Sequence, residues 1–351
     1  MAAPWVGIIA NPVSARDIRR VIANAASLQI TDRANIVLRV LACLKACGVE
    51  RAVMMPDTGG IRGHVKRGLD RSRNRGENEF PEISLLDMPV TGTVEDSRRA
   101  ASAMCQAGAA AIVVLGGDGT HRAVASACGD VPLAGISTGT NNAFPEHREP
   151  TVTGLAVGLT VTGRIPPAIA LRPNKRFVVS VNEGALEEIA LVDVAIVTER
   201  YVGARALWRT ETFSELLVAF ADPEVIGLSA IAGLLEPISR REPGGLHVSL
   251  APPERAPLVL NAPIAPGYLR DVGILGWRRL AAGTPLRPAI AAGSIALDGE
   301  RELSFSESDR IAIRLEEAAF TTIDVGACMH YAAHHALMHS SRAPSPRRVA
   351  S

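Results

Sequence analysis

Aromatic residues are scarce: Phe, Trp and Tyr together make up 4% of the 351 residues. Few rings remain to stack on bases or sugars, which argues against a binder of single-stranded nucleic acid and against a sugar groove. Charge of one sign is lacking too. Lys and Arg number 37 against 36 Asp and Glu, a formal net charge of +1, so no global field draws the protein to nucleic acid or anionic lipid. An anionic ligand must be held by a local site. No apolar run reaches the ~18 residues of a membrane span, and the opening MAAPWVG has no basic leader. A soluble, cytoplasmic protein with neither a nucleic-acid nor a membrane partner is expected. The five cysteines, Cys43, Cys47, Cys105, Cys128 and Cys328, are odd in number and form no CxxC pair. Reduced, buried thiols are the simplest reading; Cys43 and Cys47 can share a helix face, but no further ligands stand near them for zinc.

What the chain does have is length enough for two domains, with 47% hydrophobic and 21% charged residues. Short apolar runs at 6–10, 52–55, 83–86, 111–115 and 133–136 alternate with segments of helical period, the pattern of a parallel sheet wrapped by helices. Thr93 with Asp96 resembles a capping box with Gly108 as its stop, and Thr31 and Gly48 bracket another helix. An α/β fold is predicted: a Rossmann-like, doubly wound domain over 1–145, whose ligands sit at the carboxyl ends of the strands. From 146 to 340 the segments 177–181, 190–197, 246–250, 294–297 and 310–315 predict a mainly β domain, with helices at 212–220 and 225–235 and a last helix over 328–339. The Ser/Arg/Pro stretch 341–351 is predicted to be a disordered tail.

The stretch AIVVLGGDGT, 111–120, carries most of the chemistry. A buried strand runs into Gly116, Gly117, Asp118, Gly119 and Thr120, and a helix is expected to start at His121 or Arg122. Glycines let the backbone approach a bulky anion, and the helix start adds its dipole, as in a phosphate cradle without a Walker lysine. Asp118 repels phosphate unless it binds a metal or takes a proton from an attacking hydroxyl, and both roles belong to phosphoryl transfer. A plain strand-to-helix turn explains the cluster equally well on its own. Two further polar segments end other predicted strands: Asn11 and Ser14 in NPVS, and Thr138, Gly139, Thr140, Asn141 and Asn142 in STGTNN. Gathered at one sheet edge, the three can hold a nucleotide.

NPxS, GGDGT and GTxN in this order resemble the superfamily of NAD kinases, diacylglycerol kinases and sphingosine kinases. The phrases NPVSARDIRR, LGGDGTHRAV, GISTGTNNAFP and ALVDVAIVTERYVGARALW are similar to the acetoin-catabolism protein X branch of the ATP-NAD kinase family, over almost the whole chain. The resemblance implies a β-sandwich second domain and ATP with Mg²⁺ in the cleft, its phosphates on the GGDGT loop. It also implies Asp118 as the group that deprotonates the acceptor hydroxyl, in NAD kinases the adenosine 2′-hydroxyl, and a homo-oligomer built through the second domain.

Departures limit the carry-over. Ala15 and Arg16 stand where many lipid kinases have Gly and Lys, and Asn142 where they have Asp. NAD kinases hold the dinucleotide with the Asn and Glu of an ALNEV-type segment; the match here is ALVDV, with Val192 at the Asn and Asp193 at the acid. Asn182 and Glu183 supply that dipeptide elsewhere and rank second as substrate ligands. Asp298, Gly299 and Glu300 resemble the superfamily's DGE turn, with Glu300 a second carboxylate or, preferably, part of an Asp-Gly hairpin. The histidines at 330, 334, 335 and 339 and the basic run 66–75 are read as packing or solvated surface. Arg205 and Trp208 are either an anion site or a buried anchor. The expected function is an ATP-dependent small-molecule kinase, with NAD as acceptor; the alternatives are a kinase for another acceptor of acetoin catabolism, or a nucleotide-sensing protein without turnover.

Overall fold

A computed structural model describes residues 3–12, 28–139, 142–200 and 209–339. Ser14, Ala15, Arg16, Thr140, Asn141, Arg205, Trp208 and the 341–351 tail lie outside the described residues.

All five predicted strands of the first half form, as β1 (Trp5–Ala10), β2 (Arg51–Met54), β3 (Glu82–Leu85), β4 (Ala111–Gly116) and β5 (Leu133–Ser137). They pair in parallel in the order β3-β2-β1-β4-β5, the order of a mononucleotide-binding fold. β1 and β4 are buried along their whole length, as strands covered on both faces must be, which is why they stand out as unbroken apolar runs. Val6, Ile8, Val113 and Leu115 pack under helices α1 (Ile30–Ala46), α2 (Ile61–Asn74) and α5 (Pro150–Val161). Ile9, Ile112 and Val114 face the opposite layer, α3 (Glu95–Gln106) and α4 (Asp118–Ala125). Gly48 and Gly108 stop α1 and α3 in left-handed conformation, as their sequence predicts. Asp96 tightens the start of α3 by accepting the N–H groups of Thr91 and Gly92 at 3.0 and 2.7 Å.

Beyond α5 and the single turn α6 (Pro167–Ala170), the chain does not leave the first sheet for good. β6 (Leu171–Val181) and β7 (Leu186–Ala190) are joined to it through β15 (Ile311–Ile323), giving eight strands ordered β3-β2-β1-β4-β5-β15-β6-β7. The second sheet is antiparallel and has seven strands, ordered β11-β12-β10-β9-β8-β13-β14. Its members are β8 (Asp193–Val197), β9 (Phe213–Val218), β10 (Gly245–Ala251), β11 (Leu258–Ala265), β12 (Tyr268–Leu280), β13 (Gly293–Leu297) and β14 (Glu300–Phe305). Helices α7 (Ser229–Leu235) and α8 (Val325–His334) complete the chain.

Two elements differ from expectation. Residues 212–220, expected to be helical, form β9, a central strand between β8 and β10. Buried on both faces, it shows no alternation, and its one charged side chain, Glu215, is satisfied by His247 at 2.9 Å and the Ala289 N–H at 2.6 Å. The long β11–β12 ribbon has no counterpart among the predicted strands: much of it faces outward, with Leu258, Val259, Leu269, Leu275 and Trp277 exposed, so its apolar residues do not alternate cleanly between a core face and a polar face.

Candidate active site

The GGDGT segment folds one step earlier than its sequence suggests. β4 runs through Gly116, Gly117 alone makes the turn at the N-cap, and α4 begins at Asp118 rather than at His121. The Thr120 and His121 N–H groups both fold back on the Gly117 carbonyl at 3.1 Å, so the motif is itself the first helical turn. A Cβ on Gly116 would lie 2.5 Å from that of Thr120, and one on Gly117 would lie 2.7 Å from Asn142 Oδ1. Nothing lies within 4 Å of where a Cβ would stand on Gly119. Gly116 is therefore required by packing, a side chain on Gly117 would displace the Asn142 amide, and Gly119 faces open space beside a helix start, where a phosphate is favoured by amide donors and dipole together.

Asp118 is half-buried at the first position of α4, and its carboxylate is already engaged. Oδ1 accepts the Phe144 N–H at 2.9 Å and Oδ2 the Ala143 N–H at 3.0 Å. These charge-assisted bonds fix the direction of the carboxylate and staple the loop after β5 to α4. Other links lace the same two motifs: Asn142 Nδ2 donates to Ser137 Oγ at 2.9 Å, and the Thr138 N–H to the Gly116 carbonyl at 3.3 Å. Thr138 and Gly139 are buried at the end of β5. Asn11, at the end of β1, places its amide nitrogen on the Thr93 carbonyl at 2.8 Å and Ser97 Oγ at 3.1 Å. Its side chain thus holds α3 against β1.

The second sheet contributes a buried carboxylate that sequence reasoning passed over. Asp298 and Gly299 form a two-residue turn between β13 and β14, both with positive φ, the Asp-Gly hairpin expected of them. Glu300 follows as the first residue of β14. The Asp298 carboxylate turns inward and accepts the N–H groups of Leu191, Val192 and Asp193 at 2.8–3.3 Å. Arg122 of α4 lies 3.9 Å away and donates to the Leu297 carbonyl at 2.6 Å. Burial pushes the Asp298 carboxyl up to about 6; the Arg122 charge opposes that rise and the Asp118 charge adds to it. Asp193 is buried at the start of β8, its carbonyl accepting the Asp298 N–H at 2.9 Å. Asp118, Arg122, Asp193 and Asp298 therefore belong to one seam between the two sheets. The only hint in the sequence was the Asp-Gly pair, which announces a turn and says nothing of where the carboxylate points.

Asn182 and Glu183 do not join that seam. They form the tip of the β6–β7 hairpin, with φ of 52° and 59°, and the length of β7, about 17 Å at ~3.3 Å per residue, separates them from Leu191. Asn182 is spent on Asp309 and the Arg310 N–H at 3.0 and 2.9 Å, and the exposed Glu183 pairs with Arg310. Expected as second-ranked substrate ligands, both are engaged in the turn, a strand's length from the segment that holds Asp193. His330 and His335 turn their Nδ1 atoms to carbonyls one helical turn back. No group of three or more His, Cys, Asp or Glu side chains gathers as a metal site among the described residues.

The ATP-NAD kinase N-terminal domain matches residues 6–164 as a family model, and the acetoin catabolism protein X C-terminal domain matches 175–318. The chain is 57% identical over 346 residues to the acetoin catabolism protein X of Cupriavidus necator, covering 98% of this chain and 96% of that protein. The chain belongs to this family. The first match spans all five parallel strands and both motifs of the seam, and the second begins inside β6 and ends inside β15. The family's two sequence units thus meet in one sheet. Among the described residues no helix is long and apolar enough to cross a membrane.

Proposed function

We propose that the protein is an ATP-dependent kinase that phosphorylates a hydroxyl group of a small soluble metabolite, with the 2′-hydroxyl of NAD as acceptor. The carrying observation is Asp118, a carboxylate held in fixed direction at a helix start beside the open space over Gly119. The N-terminal kinase family match supports the same reading. The open space beside Gly119 and the α4 dipole favour a phosphate group there, and ATP is the donor in this reading. Thr138, Gly139 and Asn142 line the neighbouring loop, with Ser14, Thr140 and Asn141 in the same motifs. A divalent cation would enter with the phosphates, where it neutralises charge as the phosphoryl group moves. Asp118 orients the acceptor hydroxyl and takes its proton; Asp193, at the acid position of the ALVDV segment, is the acceptor ligand in this reading.

Val192 favours a second reading. It stands where NAD kinases use Asn, it is 1% exposed, and its N–H is given to Asp298, so it offers an acceptor no polar side chain. An acceptor other than NAD, on the route that the name of the Cupriavidus necator relative indicates, or nucleotide sensing without turnover, fits that replacement. The deciding experiment is ADP release from ATP and Mg²⁺ with NAD present, the product identified by mass spectrometry. NADP supports NAD as acceptor. ADP formed only with other hydroxylated metabolites moves the acceptor, and ATP binding without any transfer overturns the kinase reading.

A further inference from the structure

Arg240 lies between α7 and β10, in the half of the chain that builds the second sheet, yet its side chain ends on the first. Nη2 donates to the Ala143 carbonyl at 2.6 Å and the Phe144 carbonyl at 2.8 Å. The guanidinium is sandwiched between two rings, 4.2 Å from the centre of Phe220 and 5.0 Å from that of Phe144. The N–H groups of the same two residues are the ones that Asp118 accepts. The Ala143 carbonyl and the Phe144 N–H belong to a single planar peptide unit and point in opposite directions. Arg240 therefore pulls on one edge of a rigid plate whose other edge holds Asp118. A cation on the carbonyl also polarises the unit, so that its N–H becomes the stronger donor.

We infer that Arg240 is a positioning residue for Asp118, acting through the Ala143–Phe144 peptide and making the seating of the second sheet a condition of the carboxylate's placement. The inference rests on the proposed role of Asp118 in activating the acceptor. Arg240 itself needs no contact with nucleotide or acceptor. Its planar guanidinium supplies what a lysine lacks: a face that stacks on two rings while Nη2 bonds two carbonyls.

The test compares wild type with Arg240→Lys and Arg240→Ala by kinetics and by residue-resolved amide hydrogen exchange. In Arg240→Ala, kcat should fall about 10- to 100-fold with KM for ATP held within about threefold. The Ala143 and Phe144 amides should lose about tenfold or more of their protection, while the β1 and β4 amides keep theirs. Arg240→Lys, which keeps the charge, should fall between the two in both readouts and covers the case in which the alanine variant fails to fold. Unchanged protection at Ala143 and Phe144, or loss spread equally through β1 and β4, overturns the inference. So does lost protection with kcat unaltered. If wild type transfers no phosphate, the kinase reading fails by itself, and exchange at the two amides still decides whether Arg240 holds the Asp118 peptide.

Discussion

Arg122 and Asp298 close the seam between the sheets, with Nη1 3.9 Å from the carboxylate and 2.6 Å from the neighbouring Leu297 carbonyl. The carboxylate is fully buried and takes three backbone N–H groups, so its charge is compensated by the Arg122 cation and a concave set of amides. Removing the cation leaves that charge to the amides alone. Arg122→Ala should therefore destabilise the protein by about 3 kcal/mol in urea unfolding, whereas surface changes such as Arg73→Ala should shift it by less than about 0.5 kcal/mol.

Two buried groups should set the acid limb of stability, with opposite signs. Burial drives His121 from 6.5 down to about 4, so the folded protein binds fewer protons there. Its contribution, on the order of 3 kcal/mol, is present above pH 6.5 and lost as pH falls toward 4. Asp298 is raised from 3.8 to about 6, so its contribution, of similar order, is present below 3.8 and lost as pH rises through 6. Denaturant titrations between pH 4 and 6.5 should show His121→Gln flattening the acid loss and Asp298→Asn steepening it.

Asp118→Asn should lower the rate of phosphoryl transfer by about 10³-fold while leaving the ATP dissociation constant within about threefold. The amide can accept only one of the two N–H groups that Asp118 now holds, so a stability loss of about 1–2 kcal/mol should accompany it. Calorimetric ATP titration and ADP release separate these effects. An active variant that keeps its rate would remove Asp118 from the chemistry.

Legibility differs between scaffold and site for a physical reason. The five parallel strands are continuous apolar runs because helices cover both faces, and local pattern is enough to find them. β9 looks helical in sequence because a central strand has no solvent face to impose alternation. At the site, Gly117, Asp118, Asn142 and Asp193 stand out in the sequence and converge on one seam. The partners that fix Asp118, the amides of Ala143 and Phe144 and behind them Arg240, stand far off in the chain, and no spacing rule connects residues joined only by tertiary packing. Asn182 and Glu183 match the dipeptide in chemistry but lie at a hairpin tip, a strand's length from that seam.

The α1–α5 contact offers a test away from the site. A Cβ on Gly158 would lie 2.6 Å from that of Cys47, and one on Gly154 would lie 3.0 Å from the Val40 carbonyl. Gly158→Val should cost about 2–3 kcal/mol by overpacking, read as a lower urea midpoint. Burial, with the neighbouring Cys47 adding to it, pushes the Cys43 thiol up to about 11. In native protein at pH 8 this thiol should resist a thiol-labelling reagent until global unfolding.

The strand pairing β5-β15-β6 makes chain order and spatial order disagree. Residues 311–323, late in the chain, lie between β5, the last strand of the N-terminal half, and β6, the first strand of the C-terminal half. A single backbone cut between α5 and β6 would leave two fragments side by side in one sheet, meeting along β5 and β15. Neither piece is a detachable module, so exchanging one half for that of a distant relative requires re-matching a shared sheet rather than rejoining a linker.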